Sequence, residues 1–412
     1  MLKFEETITN SKSKKGGLFK RRVIKKEKKE RKSIDYTAVI NGLRKLKPKY
    51  LNLSVLIPVV VLSLFGLAMV YSASSYNAGI YFNNPYHFLT RQTIGFVLGV
   101  IVLTVVYRID YRILKQYHWW VAGFAMFILL LVFIPGIGVT QLGASRWIGV
   151  GGFTIQPSEM AKFCFVIFAA AVLSKTEFAA SKWRSVLTVL AVGGILCGLI
   201  LAEPNLSITL CLAGTMFIML FLCGARLKHL GIVAAPALVA LPVLLISEPY
   251  RIRRLVAFID PWATPKAEGF QLIQSLFSLG NGGLFGLGYG NSTQKYMFLP
   301  FSESDFIFSI IGEEFGLIGT LTFIAVLGFL IYSIFKVGIN CRDRFGKFLC
   351  YGIATVIFVQ SIINLAVVTG SIPPTGLPLP FISFGGTSLA VFLGAIGIVL
   401  NVHRNNIKVN TS

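Results

Sequence analysis

Residues 53–73 read LSVLIPVVVLSLFGLAMVYSA and carry no charged side chain. An α-helix needs about 20 mostly apolar residues to cross the hydrocarbon core of a bilayer. The run meets that length, and the hydrophilic tail before it lacks the cleavage-site pattern of a signal peptide. We therefore interpret it as a first membrane-spanning helix that is retained as an anchor.

The rest of the chain has the same apolar character. Hydrophobic residues make up 55% of the sequence, charged residues 14%, and the mean hydropathy is +0.72. Soluble domains carry about 25% charged residues, so these values exclude a water-soluble, disordered or coiled-coil protein. Hydropathy predicts ten spans: residues 53–73, 90–107, 119–138, 157–174, 185–202, 206–224, 229–247, 306–335, 349–371 and 384–402.

The distribution of charge predicts how these spans are oriented. The net charge is +22, and residues 1–50 alone hold 17 Lys and Arg against five Asp and Glu. Because Lys and Arg stay on the cytoplasmic side, both termini are predicted to be cytoplasmic. The predicted fold is an all-α polytopic membrane protein of the plasma membrane. It has a basic tail over 1–50, a membrane domain over 51–403, which includes a large extracytoplasmic loop over 247–304 between the seventh and eighth spans, and a short tail over 404–412.

The basic tail and the cysteines suggest few specific sites. Such a juxtamembrane tail is suited to binding anionic lipid or to docking a cytosolic partner. Nucleic acid is excluded as a partner, because the tail has no interleaved aromatic residues and no recognisable module. The six cysteines form no CxxC pair and accompany no histidine cluster, which argues against a zinc site and a disulfide framework.

The predicted outer loop before the fourth span contains the first candidate site residues. The segment Gly143–Lys162 reads GASRWIGVGGFTIQPSEMAK. Glu159 and Lys162 are three residues apart, on one face of a helix near the membrane surface, with Arg146 upstream. Ionisable groups in a span are costly and indicate function. The alternative is an interfacial ion pair with Trp147 as an aromatic anchor.

The long loop is predicted to contain an amphipathic helix. In FQLIQSLFSL, the polar residues Gln271, Gln274, Ser275 and Ser278 recur at helical spacing. This pattern predicts a helix that lies in the interface or against a polar cavity. A glycine-rich run over 280–290 follows, but it lacks the GxxxxGK[ST] pattern of a nucleotide-binding loop.

Carboxylates follow at the start of the eighth span. Asp305 stands at its mouth, and Glu313 and Glu314 lie two to three turns deeper, where carboxylates are expensive. Asp305 could alternatively be an acid favoured by the dipole of the helix N-terminus. Lys295 precedes this segment.

The last predicted outer segment, 371–388, reads SIPPTGLPLPFISFGGTS, and its four prolines forbid a regular helix. A broken segment at membrane depth lines protein or water, although an ordinary re-entrant turn is the alternative. Together, the outer loops collect cations, a carboxylate and irregular backbone. This combination favours binding of an anionic head group such as a lipid-linked pyrophosphate.

These segments resemble the SEDS family (shape, elongation, division and sporulation) over about residues 53–403, and the MVYSAS string, the NPYHFLTRQ segment and the IDPW motif resemble its division branch. The family usually has Pro-Asp-Leu-Gly where this chain has Asn205 after Pro204, and its His-Thr-Asp ending is Glu303-Ser304-Asp305 here. Six motifs carry the resemblance: MVYSASSY, ASRWIGVGGFTIQPSEMAK, YRIRRLVAFIDPW, GFQLIQSLFSLGNGGLFGLGYGNSTQK, LPFSESDFIFSIIGEE and TGLPLPFISFGGTS.

The resemblance implies a glycosyltransferase that polymerises lipid II into peptidoglycan strands during cell division. Asp305 matches the family's essential aspartate, and Glu313 and Glu314 would support it. A divalent cation, Mg²⁺ or Mn²⁺, remains an open cofactor. Residues expected to bind substrate are Arg146, Glu159, Lys162, Arg251, Gln274, Ser275, Lys295 and Ser383, with Arg254 as a further candidate.

The implied partners are lipid II, the nascent glycan strand, a class B penicillin-binding transpeptidase and other proteins of the division septum. Two alternatives stay open: a lipid II flippase, and a non-catalytic scaffold for division proteins. Transporters usually place their charges at the midplane and show internal repeats, whereas the charged residues here are predicted at the outer edge.

Overall fold

The computed structural model describes residues 50–141, 144–150, 153–176, 179–246 and 249–411. The basic tail over 1–49 lies outside these residues, so its expected binding to lipid or to a partner stays a prediction.

The described chain is mainly helical, and a helix overlaps each of the ten predicted spans. The helices are α1 Leu53–Phe82, α2 His87–Arg108, α3 Arg112–Gln116, α4 His118–Leu131, α5 Pro157–Leu173, α6 Trp183–Ala202, α7 Leu206–Leu222, α8 Leu227–Ile246, α9 Pro249–Ile259, α10 Phe270–Asn281, α11 Ile307–Ile339, α12 Arg344–Val368 and α13 Gly386–Thr411.

Length and hydropathy identify membrane-crossing helices directly. Within the described ranges, six helices are long and apolar enough to cross a bilayer, namely α1, α2, α6, α11, α12 and the described apolar part of α13. α4 and α7 are shorter apolar helices. A multi-helix membrane protein is therefore confirmed, while the count of ten and the orientation stay predictions.

The expectation of an all-α chain was wrong for the segment before α5. Three antiparallel strands, β1 Gly138–Gln141, β2 Ala144–Val150 and β3 Phe153–Ile155, form a sheet in the order β1-β2-β3. Thr140 and Ser145 also join β1 and β2 through their hydroxyls, at 2.7 Å. The glycines in this stretch suggested a loop, but the intervening Val, Thr, Trp and Ile residues favour strands.

α5 and α12 lie at the centre of the bundle. Pro157 begins α5 at a first-turn position, where proline is tolerated, and nearly every residue of that helix is buried. Along α12, Gln360 and Asn364 are buried one turn apart on the same face. Because these two side chains are polar, this buried face of α12 can form hydrogen bonds to neighbouring backbone groups as well as pack against them.

α2 and α13 approach each other closely through small residues. A Cβ built on Gly95 would lie 2.2 Å from the Cα of Gly386, which no side chain can do. A Cβ on Gly99 would lie 3.0 Å from the Cα of Ala390. The Gly95-xxx-Gly99 pattern therefore packs helices within this chain, as such patterns do in membranes.

Replacing Gly95 with alanine is expected to destabilise the bundle. The added methyl group would force α2 and α13 apart, and overpacking of this kind typically costs about 1–3 kcal/mol. Thermal unfolding in detergent measures the effect. Gly79→Ala in α1 is the matched control, because a Cβ there meets nothing within 4 Å. An unfolding midpoint for Gly95→Ala equal to that of the control would contradict the close contact.

The long segment after α8 is structured. It contains α9, a single 3₁₀ turn over Pro261–Ala263, and α10. The amphipathic helix predicted over 270–279 is thus confirmed. Its serines face α11 and α12, since Ser275 Oγ lies 2.7 Å from both Ser309 Oγ and the Val368 carbonyl oxygen.

Candidate functional site

The irregular segments meet at one end of the bundle, around the start of α11. Arg146 on β2 reaches the turn between α6 and α7. Arg254 on α9 and Asn364 on α12 both bind the proline-rich segment 371–385. Three side chains and the two backbone segments that they bind therefore come together near the residues before α11.

Asp305 lies two residues before α11 and directly precedes its N-cap residue, Phe306. It is partly buried, and its Oδ2 would lie 3.2 Å from a Cβ on Gly376, so glycine leaves room for the carboxylate. Burial, and then the nearby Glu303, raises the pKa of Asp305 to about 6, while Arg254 and Arg146 oppose this shift. A carboxylate with such a pKa is ionised at neutral pH and can accept a proton.

Arg146 and Glu203 lie together at the α6–α7 turn. The Arg146 guanidinium donates to the Glu203 carbonyl at 3.2 Å and to the Pro204 carbonyl. The Glu203 side chain is fully buried, and within the described chain its carboxylate oxygens accept no hydrogen bond. Burial raises the pKa of Glu203 to about 8, against the influence of Arg146. Arg146 therefore lies within electrostatic range of two carboxyl groups, those of Glu203 and Asp305.

Arg254 connects α9 to the proline-rich segment. Its Nη1 donates to the Pro374 carbonyl at 3.3 Å, and its charge acts on Asp305. The neighbouring Arg253 instead points outward and pairs with Glu268 at 2.8 Å. Adjacent arginines thus have different surroundings, which makes them a matched pair for experiment.

Arg254→Gln is expected to raise the apparent pKa of Asp305, because it removes a positive charge that stabilises the carboxylate. The acidic limb of the activity–pH profile, where activity rises as the Asp305 carboxylate ionises, should then move to higher pH. Arg253→Gln should leave the limb in place. Identical profiles for the two variants would contradict the electrostatic contact between Arg254 and Asp305.

Glu159 and Lys162 form an ion pair at 2.8 Å that is fully buried within the protein. Lys162 also donates to Gln360, whose own amide donates to the Pro378 carbonyl at 2.8 Å. Ser388 donates to Glu159 at 3.0 Å. The pair therefore ties α5 to α12, to the proline-rich segment and to α13. Contact of either residue with substrate stays a prediction.

Glu313 and Glu314 hold the glycine-rich segment against the bundle. Glu313 accepts hydrogen bonds from Ser278, from the backbone and hydroxyl of Thr293, and from neighbouring groups. Glu314 accepts one from Ser72 at 2.5 Å and lies 3.5 Å from the Lys295 ammonium. Lys295 is buried beside them, and its contact with substrate stays a prediction.

The remaining candidates have different surroundings. Gln274 is half-buried on α10, and Arg251 is buried on α9. Ser275 is buried in its contacts with α11 and α12. Ser383 donates to the Ser304 carbonyl at 2.6 Å, next to Asp305. Ser383 is therefore adjacent to the site, whereas Ser275 lies within the helix packing.

The described residues contain no group of three or more His, Cys, Asp or Glu side chains placed to hold a metal ion. Mg²⁺, however, is often held by one or two carboxylates together with substrate phosphates. No described contact assigns Asp305 or Glu303 to such an arrangement, so a divalent cofactor stays a prediction.

The sequence matches a known protein family over most of its length. The FtsW, RodA and SpoVE family of cell cycle proteins matches residues 53–408, which is most of the chain. The chain belongs to this family. The SEDS resemblance found in the motifs is thereby confirmed.

Curated relatives in the FtsW/RodA/SpoVE family match along most of their length. A protein of Geobacter metallireducens named probable peptidoglycan glycosyltransferase FtsW is 41% identical, over 85% of this chain and 94% of that protein. Stage V sporulation protein E of Bacillus subtilis is 38% identical, over 86% of this chain and 97% of that protein. The chain is thus similar to both division and sporulation members.

Solved structures of the FtsW/RodA/SpoVE family share the fold. One belongs to a peptidoglycan synthase complex solved to show how polymerization and crosslinking are coordinated. It has a TM-score of 0.71 and 28% identity, and it covers 86% of this chain and 98% of that chain. The rod shape determining protein RodA of Thermus thermophilus has a TM-score of 0.64 at 24% identity, covering 86% and 97%. The RodA match bears on the fold alone.

Sequence reasoning on this family member missed several residues around Asp305. Glu203 is an acidic residue next to a proline at the end of a predicted span. An acidic side chain at that position could have marked it as a candidate. Asn364 and Gln360 lie in the middle of an apolar helix, and their spacing of four residues placed them on one face. Ser207, which accepts a hydrogen bond from the Gly376 amide at 3.2 Å, carried no signal.

Proposed function

We propose that this chain is a peptidoglycan glycosyltransferase that polymerises lipid II into glycan strands during cell division. The observation that carries the proposal is the partly buried Asp305 carboxylate, with a pKa of about 6, which Arg146 and Arg254 influence. Membership of the FtsW/RodA/SpoVE family and the name of the Geobacter relative support the same activity.

In the proposed reaction, Asp305 accepts the proton of the 4-hydroxyl of the acceptor sugar. The hydroxyl oxygen attacks C1 of the growing strand, and the bond from C1 to the pyrophosphate oxygen breaks with inversion. Undecaprenyl pyrophosphate leaves with the bonding electrons. General-base assistance contributes about 10²–10⁴ in rate.

The leaving pyrophosphate needs positive charge, and we assign that role to Arg146 and Arg254, because both charges act on the neighbouring Asp305. Substrate contacts of Arg251, Gln274, Lys295 and Ser383 belong to the same proposal.

The cellular setting is also part of this proposal. Ten spans with both termini in the cytoplasm would place Asp305 on the outer face of the plasma membrane, where lipid-linked sugars are joined. A class B penicillin-binding transpeptidase is the proposed partner, since one structural relative belongs to a peptidoglycan synthase complex. The division septum is the proposed location.

Supplying lipid II to the purified full-length chain together with its class B transpeptidase partner tests the proposal against the flippase alternative. The expected product is glycan strands of more than one disaccharide, separated on a gel and cleaved by a muramidase. Movement of lipid II across the membrane of sealed vesicles without strand formation would contradict the proposal and favour the flippase. Neither product would favour the scaffold.

A further inference from the structure

Asn364 connects the residues before α11 with the proline-rich segment. It lies in α12, and its side chain is 1% exposed. Its Nδ2 donates to the Asp305 carbonyl at 2.8 Å and to the Leu377 carbonyl at 2.7 Å. A carboxamide nitrogen carries two hydrogens, so one side chain can serve both acceptors.

Both acceptors need a donor from outside their own segments. Asp305 precedes α11, so its carbonyl lies outside the hydrogen-bond ladder of that helix. Leu377 stands in the segment 371–385, where prolines at 373, 374, 378 and 380 lack the N–H groups that could pair neighbouring carbonyls. A buried carbonyl without a donor is costly, so a side-chain donor is required here.

Gln360, one turn away, is a useful contrast. Its amide donates to the Pro378 carbonyl at 2.8 Å, next to the acceptor that Asn364 uses. Its oxygen accepts from Lys162. Gln360 thus holds the proline-rich segment to α12, whereas Asn364 holds it to α12 and to Asp305.

We infer that Asn364 is a positioning residue for Asp305. Its amide fixes the backbone of Asp305 at a set distance from the backbone of Leu377 and thereby holds the Asp305 carboxylate in its position beside Gly376. This inference rests on the proposed function for its catalytic consequence, although the clamp itself is a property of the fold.

Asn364→Leu removes both hydrogen bonds while it keeps the number and branching of the side-chain heavy atoms, and Asn364→Asp keeps the shape but loses the paired donors. Because a displacement of about 1 Å can cost about 10²-fold in rate, kcat should fall about 10- to 100-fold with KM within about twofold of native.

Hydrogen exchange provides a measurement that does not depend on activity. Loss of the clamp should speed amide exchange in peptides covering 301–306 and 374–385. The control is Ser361→Ala on the same helix. Ser361 is buried, and its hydroxyl makes no hydrogen bond within the described chain, so exchange and kcat should stay native.

Native exchange in both segments in Asn364→Leu and Asn364→Asp would overturn the inference. So would native kcat in both variants when the native chain polymerises lipid II. If the native chain makes no strands, the proposed function fails, and the exchange rates alone still decide whether Asn364 clamps Asp305.

Discussion

Asp305→Asn is expected to lower kcat for lipid II polymerisation by about 10²–10⁴-fold, because an amide cannot accept the proton of the attacking hydroxyl. Asparagine has nearly the same shape, so KM for lipid II and the thermal unfolding midpoint should stay close to native. Strand synthesis by the purified full-length chain measures the effect.

Asp260→Asn is the matched control for this variant. Asp260 lies in the same long segment, and its carboxylate accepts hydrogen bonds from the amides of Trp262 and Ala263 at 3.1 and 3.2 Å. Asparagine caps such a turn as well as aspartate does, so the control should retain native rates. Equal losses in the two variants would indicate a general effect of lost charge.

The second large effect is expected from Lys162→Met, which leaves Glu159 buried without its cation. Removing one member of a buried ion pair typically costs about 3–5 kcal/mol, since the remaining charge is desolvated and uncompensated. The thermal unfolding midpoint in detergent should therefore fall sharply. Activity should fall with it, because the pair ties α5 to the segment that lies beside Asp305.

The double variant Glu159→Gln with Lys162→Met tests the cause of that loss. Replacing both charges leaves no buried ion, so most of the stability should return. A double variant as unstable as Lys162→Met alone would show that packing around the lysine stem matters more than its charge.

The helices and the end of the bundle that holds the site were predictable from the sequence. The ten apolar runs each coincide with a helix, because hydrophobic length is the main determinant of a membrane helix. The predicted outer loops that carry Asp305, Arg146 and the four prolines do meet in the structure, since they connect neighbouring helices at one end.

The partners of those residues were not predictable. The Lys162–Glu159 pair fits either a substrate contact or a structural link, and only the packing of α12 and α13 shows Gln360 and Ser388 bound to it. The sheet before α5 was missed because alternation is hard to recognise in a short glycine-rich stretch. Asn364 acts on residues far away in the sequence, which spacing along one helix does not reveal.

The most direct test of the account is the rate–pH profile of lipid II polymerisation by the native chain and by Asp305→Asn. If Asp305 is the general base, kcat/KM of the native chain should rise with pH through an acidic limb near pH 6 and then level off, because burial raises the pKa of Asp305 to about 6 and the ionised form accepts the proton. The limb should be absent from the low residual rate of Asp305→Asn. A native profile that is flat through this range, or the same limb at an undiminished rate in Asp305→Asn, would contradict the account.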